Sequence, residues 1–264
     1  MKTTSFVPGT PCWTDLSSPD IEASRAFYGG LFGWDSQAGP PEAGGYTFFS
    51  LRGEHVAAVG PVMAEGDRPR WITYMATNDV TDTAKAVEAA GGSVCVPPMT
   101  VFDQGGFAQF TDPHGAEFAA WQPGRFSGAG LLDEPGALCW IELNTRDVDG
   151  SRAFYREVFG WTGETHPFGG DSSYTELEVE GAGRKFGGIL LMNDAWPPEI
   201  PQHWMHYFSV ADTDAAAARA TELGGSVSVP PFDLEHVGRV AVLDDPHGAY
   251  FSVITRPSAR GGEG

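Results

Sequence analysis

The chain is short of positive charge, short of cysteine and without any long apolar run, and each shortage narrows what it can be. Its 264 residues include 16 Lys and Arg against 35 Asp and Glu, a net charge of −19. Such a surface repels phosphate backbones and anionic lipid, so neither nucleic acid nor a membrane is expected as a partner. The same field favours neutral or cationic ligands. Cysteine occurs only at Cys12, Cys95 and Cys139, with no CxxC spacing and one residue too many to pair. That points to a reducing compartment. With an N-terminal stretch lacking the apolar core of a signal peptide, the expected location is the cytoplasm. No apolar run approaches the roughly 18 residues of a membrane span. The patterns G-x-x-x-x-G-K-[ST], H-E-x-x-H and G-x-S-x-G are missing too, which removes the usual signatures of a phosphate cradle, a zinc hydrolase and a nucleophilic serine.

What the chain has in quantity is glycine and proline, 35 and 20 residues, beside a hydrophobic content of 41%. That composition supports a packed core built from many short strands joined by turns. It also has an internal repeat. Cys12-Trp13-Thr14-Asp15-Leu16 returns 127 residues later as Cys139-Trp140-Ile141-Glu142-Leu143. Ser24-Arg25-Ala26-Phe27-Tyr28 returns as Ser151-Arg152-Ala153-Phe154-Tyr155, and Phe32-Gly33-Trp34 as Phe159-Gly160-Trp161. Further on the offset becomes 133, relating Gly91-Gly92-Ser93-Val94 to Gly224-Gly225-Ser226-Val227 and Asp112-Pro113-His114-Gly115 to Asp245-Pro246-His247-Gly248. The second copy therefore carries a net insertion of six residues between Trp161 and Trp204. Two homologous domains are expected, at 1–122 and 137–256, joined by a linker at 123–136 and followed by a disordered tail at 257–264.

Each copy reads as strand–helix–three strands, given twice. In the first, a strand at 12–17 precedes a helix with Ser18 as cap and Pro19 at its first position, carrying Ile21, Phe27 and Leu31 inward and stopping before Gly33. Strands follow near 34–38, 45–51 and 54–62. The second half gives a strand at 70–77, a helix at 79–90 stopped by Gly91-Gly92, and strands near 93–97, 106–111 and 116–121. The doublets Pro97-Pro98 and Pro230-Pro231 read as strand ends. The fold class is α+β.

A short strand, S-R-A-F-Y on a helix, F-G-W, then G-G and D-P-H-G before a last strand, twice over, resembles the vicinal oxygen chelate superfamily of glyoxalases, bleomycin-resistance proteins and extradiol dioxygenases. Its tandem, actinobacterial, glyoxalase-like members are most alike. The resemblance implies paired βαβββ modules forming a curved sheet around a ligand cavity. It also implies positions for metal ligands: fifteen residues before the helix tyrosine, early on the fifth strand, and seven residues after the Asp of D-P-H-G. Those positions hold Trp13, Trp71 and Ala119 in one copy and Trp140, Trp204 and Ser252 in the other. Indole and methyl groups do not ligate metals, and a hydroxyl is a weak donor, so no metal and no cofactor is expected.

Counting in steps of two from these positions makes Trp13, Asp15, Trp71, Thr73, Met75, Glu117, Ala119 and Trp121 the cavity-facing set of the first domain. The second set is Trp140, Glu142, Trp204, His206, Phe208, Tyr250, Ser252 and Ile254. Large aromatic surfaces with few polar groups make an organic-ligand pocket, although the tryptophans also read as core packing. Asp15 and Glu142 read either as structurally paired carboxylates or as ligand contacts or general bases. His114 and His247 read as turn residues and Cys12 and Cys139 as small buried apolar groups. Glu142 and His206 are the candidate catalytic pair. The expected function is metal-independent binding of an aromatic or polycyclic small molecule, in antibiotic resistance or natural-product biosynthesis, by a monomer or homodimer. The alternative is a metal-free lyase, isomerase or hydroxylase-like enzyme using that Glu/His pair.

Overall fold

The computed structural model of the chain describes residues 1–64 and 66–257. The first copy runs β1 (Pro11–Ser18), α1 (Ile21–Phe32), β2 (Asp35–Ala38), β3 (Thr47–Leu51), β4 (Glu54–Pro61), β5 (Arg70–Ala76), α2 (Val80–Ala89), β6 (Ser93–Val101), β7 (Gly105–Thr111) and β8 (Glu117–Pro123). The second runs β9 (Leu138–Thr145), α3 (Val148–Phe159), β10 (Thr165–Pro167), β11 (Ser173–Leu177), β12 (Gly187–Leu191), β13 (His203–Ser209), α4 (Thr213–Glu222), β14 (Ser226–Leu234), β15 (Gly238–Asp244) and β16 (Tyr250–Thr255). Each copy makes one eight-stranded sheet, in the orders β2-β3-β4-β1-β5-β8-β7-β6 and β10-β11-β12-β9-β13-β16-β15-β14. Two βαβββ modules thus meet at β1 and β5, or at β9 and β13, and neither sheet closes on itself. The expected α+β architecture is the observed one. No helix is long and apolar enough to cross a membrane among the described residues. The tail expected beyond residue 256 lies, from 258 onward, outside the described residues.

Two local expectations are corrected. The cap of α1 is Asp20, whose Oδ1 accepts from the Ala23 amide at 2.9 Å, while Ser18 ends β1. The helix begins at Ile21, so Pro19 precedes the cap instead of opening the helix, and the Ser18 hydroxyl, two residues too early, accepts from the Asp20 amide at 3.1 Å and bonds Ser24 Oγ at 2.8 Å. Pro97-Pro98 and Pro230-Pro231 do not end their strands: β6 and β14 run through them, with one register shift just before each doublet and one across it. Both are edge strands, where a missing amide leaves no ladder bond unmade.

The repeated motifs turn out to build the joint between the copies. Tyr28 on α1 donates its hydroxyl to Asp245 Oδ2 of the second copy at 3.2 Å, and Tyr155 on α3 donates to Asp112 Oδ2 of the first at 3.2 Å. The other oxygen of each aspartate organises its own D-P-H-G turn. Asp112 Oδ1 accepts from the His114 and Ala116 amides, and Asp245 Oδ1 from those of His247 and Ala249. The second glycine of each G-G pair lets the partner helix come close. A Cβ on Gly225 would stand 2.9 Å from the Phe27 ring, and one on Gly92 3.0 Å from that of Phe154. Trp34 Nε1 donates to the Gly136 carbonyl at 2.7 Å and Trp161 Nε1 to that of Gly9 at 2.6 Å. These contacts tie two small cores into one.

The segment between the sheets is pinned over the first copy. The Gly124 and Phe126 amides donate to Gln104 O, Ala129 N to Cys12 O, and Gly130 N to His55 O, at 2.8 to 3.1 Å. Trp121 Nε1 donates to the Phe126 carbonyl at 2.9 Å.

Candidate functional site

Cross-strand partners share a face of a sheet, so the register sorts every side chain. In the first copy Trp13 pairs with Tyr74 and Asp15 with Ile72, and Tyr74 lies beside Ala119 of β8. Phe107 pairs with Trp121. These residues occupy the face turned away from the helices. Leu16 pairs with Trp71 and Thr14 with Thr73, on the face that α1 covers. The second copy repeats the division: Trp140 with Tyr207 and Glu142 with Met205 on the open face, Leu143 with Trp204 and Ile141 with His206 on the covered one. Ser252 lies beside Tyr207 on the open face.

Six expected cavity-facing residues are therefore on the wrong side. Trp71, Thr73, Trp204, His206 and Phe208 are buried between the copies, as is Met75. A slip of one residue on a strand reverses every side chain, and the open-face position on β5 belongs to Ile72, on β13 to Met205. Trp71 Nε1 donates to Tyr28 Oη and Trp204 Nε1 to Tyr155 Oη, both at 3.1 Å, extending the interdomain bonds. His206 is wholly buried with its ring centroid 6.0 Å from that of Trp71, and neither ring nitrogen has a partner among the described residues. Burial pushes its imidazole down to about 3, so it is neutral. Glu142 and His206 lie on opposite faces, and the proposed acid–base pair does not exist.

What the open faces do bring together was missed in the sequence: a buried carboxylate met by tyrosines. Tyr74 and Tyr46 donate to Asp15 Oδ2 at 2.6 and 3.0 Å, and Trp13 Nε1 donates to Tyr46 Oη at 3.0 Å. In the second copy Tyr207 donates to Glu142 Oε1 at 2.9 Å and Trp140 Nε1 to Tyr174 Oη at 2.7 Å. Burial raises Asp15 to about 6 and Glu142 to about 7, against the lowering effect of their tyrosine hydroxyls. Both carboxyls thus titrate near neutrality. Tyr46 and Tyr174 recur at an offset of 128 and Tyr74 and Tyr207 at 133, so the repeat held the signal that would have found them.

The two faces differ in their cover. Over the first, the Phe126 ring stands edge-on to Trp13 at 4.9 Å and lies 5.8 Å from Phe48 and 5.9 Å from Trp121. Trp13 is 3% exposed in consequence. In the second copy Trp140, Tyr174, Tyr207 and Tyr250 are all half-buried, with the Arg256 guanidinium 5.9 Å from the Trp140 ring centroid. Tyr250 leans on His203 at 4.9 Å.

A divalent ion does not fit either face. With the β5 and β13 positions corrected, the places the resemblance reserves for ligands hold Trp13, Ile72 and Ala119, and Trp140, Met205 and Ser252. No group of three or more His, Cys, Asp or Glu able to hold a metal occurs among the described residues. Nor do the buried thiols replace them: burial raises Cys139 to about 12 and Cys12 higher still.

A family model described as the Glyoxalase/Bleomycin resistance protein/Dioxygenase superfamily matches residues 12–120 and again 137–253. The chain belongs to this superfamily. It is 40% identical over 258 residues to a Mycobacterium tuberculosis (strain CDC 1551 / Oshkosh) protein named "Putative glyoxylase CFP32", covering 96% of this chain and 97% of that one. It is 42% identical over 268 residues to the anthracycline biosynthesis protein DauV of Streptomyces sp. (strain C5), covering 95% and 94%. Among solved structures, the Mn(II)-bound glyoxalase of Novosphingobium aromaticivorans superposes with a TM-score of 0.65 at 17% identity, over 94% of this chain and 82% of that one. At that identity the likeness is one of fold.

Proposed function

We propose that the chain binds a flat aromatic or polycyclic small molecule, without a metal ion, in natural-product biosynthesis. The observation that carries this reading is the open face of the second sheet, where the half-buried Trp140, Tyr174 and Tyr207 surround the single buried carboxyl of Glu142. Aromatic walls stack on a flat ligand, at about 0.5–1.5 kcal/mol per contact beyond burial. One carboxyl beside a tyrosine hydroxyl orients the ligand's polar edge. The full-length likeness to DauV, named for anthracycline biosynthesis, supports a ligand of fused rings in a biosynthetic setting. The surplus of negative charge favours one that is neutral or cationic. Daunorubicin, a cationic anthracycline, is a suitable probe. Titration into the protein should quench tryptophan fluorescence saturably. A flat titration, also with uncharged fused-ring quinones, refutes the reading.

A second reading is catalysis by Glu142 without His206. A carboxyl titrating at about 7 with the Tyr207 hydroxyl 2.9 Å away is placed to give or take a proton at a bound ligand. Glu142→Gln separates the two readings. If the chain only binds, the variant binds more weakly through loss of the carboxyl and no product forms with either protein. If it catalyses, product made by the native chain disappears in the variant.

A further inference from the structure

The two halves of the repeat offer the same framework of tryptophan, tyrosines and carboxyl, yet only one of them has a phenyl ring of its own chain lying on the tryptophan. Phe126 comes from the segment after β8, and its backbone is held on both sides. Its amide donates to Gln104 O at 3.1 Å and its carbonyl accepts from Trp121 Nε1 at 2.9 Å. Its ring meets Trp13 edge-on at 4.9 Å, with Phe48, His55 and Trp121 completing the wall. This is the packing an aromatic ligand would make on that face. In the second copy Glu176 and Ile254 stand where the repeat places Phe48 and Trp121. No aromatic ring among the described residues lies over Trp140, which carries the Arg256 guanidinium instead.

We infer that Phe126 permanently occupies the first domain's ligand position, so that the chain has one binding site, the Trp140–Glu142 face of the second domain, for a fused-ring aromatic molecule. The inference rests on the ligand reading above and adds to it the site, the stoichiometry and the residue that sets both. It follows that the first face is a retired copy of the site, silenced by a side chain, and that removing the ring reopens it.

Calorimetric titration with daunorubicin tests this. The native chain should bind one equivalent, and Phe126→Ala two. Phe126→Leu, which keeps an apolar plug, should still bind one. On the native background Trp140→Ala should weaken binding by about tenfold or more, the loss of one stacked wall with its buried area. Trp140 is half-exposed, so this variant folds even if Phe126→Ala does not. Two equivalents on the native chain, one equivalent on folded Phe126→Ala, or full affinity in Trp140→Ala would each overturn the inference while leaving the ligand reading standing. Saturable binding by none of these proteins would sink both.

Discussion

Glu142 offers a stability measurement that needs no ligand. Glu142 is 7% exposed, accepts from the Tyr207 hydroxyl on Oε1 and makes no ion pair among the described residues, and burial raises its carboxyl from 4.5 to about 7 against the lowering effect of Tyr207 and Tyr174. A carboxyl raised in the folded state binds its proton more tightly there than in the unfolded chain. Its contribution is therefore complete below the unfolded pKa and is lost as pH rises through the folded one. The window is 4.5 to about 7, and across it the native state loses about 3 kcal/mol relative to a side chain that does not titrate. The chain has a pI of about 4.5, so the lower end is best avoided for solubility. Between pH 5.5 and 8.5 about 2 kcal/mol of the effect remains accessible. Glu142→Gln keeps the shape and removes the titration. Urea unfolding of the two proteins at both pH values should show the variant gaining about 2 kcal/mol on the native chain as pH rises. A difference that stays constant within 0.5 kcal/mol, roughly the scatter of such extrapolations, would show that the carboxyl ionises freely and that its burial has been misjudged.

Three further outcomes are expected. Protein purified without chelator or added metal should hold less than about one-tenth equivalent of Zn, Fe, Mn or Ni by elemental analysis, since two or fewer donors leave an ion mostly hydrated; one equivalent, lost on Glu142→Ala, would reveal a relocated site. His206→Leu should leave daunorubicin affinity unchanged and stability equal or higher by about 1 kcal/mol, because it removes a buried ring whose nitrogens have no partners among the described residues. Tyr155→Phe should destabilise by about 2 kcal/mol in the same urea assay, as it strips a donor from Asp112 and an acceptor from Trp204 at once.

The architecture was legible because the sequence states it twice: motifs recurring at fixed offsets divide the chain, and the order of strand and helix signals within each copy gives the βαβββ modules. Side-chain direction on β5 and β13 was not legible. Trp71 and Ile72 are adjacent, both apolar and both suited to a buried strand, and nothing local says which looks toward the helix. The sheet register decides it. The carboxyls of Asp15 and Glu142 stood out because an acid on a buried strand is costly. Their tyrosine partners did not, since tyrosine is common on and beside strands and the donors come from elsewhere in the sheet or its connections, 31 to 65 residues away. The repeated Tyr28, Gly92 and Asp112 have evident local roles as helix, stop and turn residues. Those roles are real, and they hid the second task of bridging the copies.

That bridging is exchanged crosswise: the first copy gives a tyrosine and receives one on its aspartate, and the second does the same in return. Each half consequently owns a full set of the parts needed to join a duplicate of itself. Two identical halves could close the same pair of bonds about a two-fold axis, with no covalent connection between them. The fused chain is then an internal dimer whose partner can never dissociate or be exchanged. Fusion also frees the two halves from being alike, and it is this licence that lets one half carry Phe126 on its tryptophan while the other carries the Arg256 guanidinium.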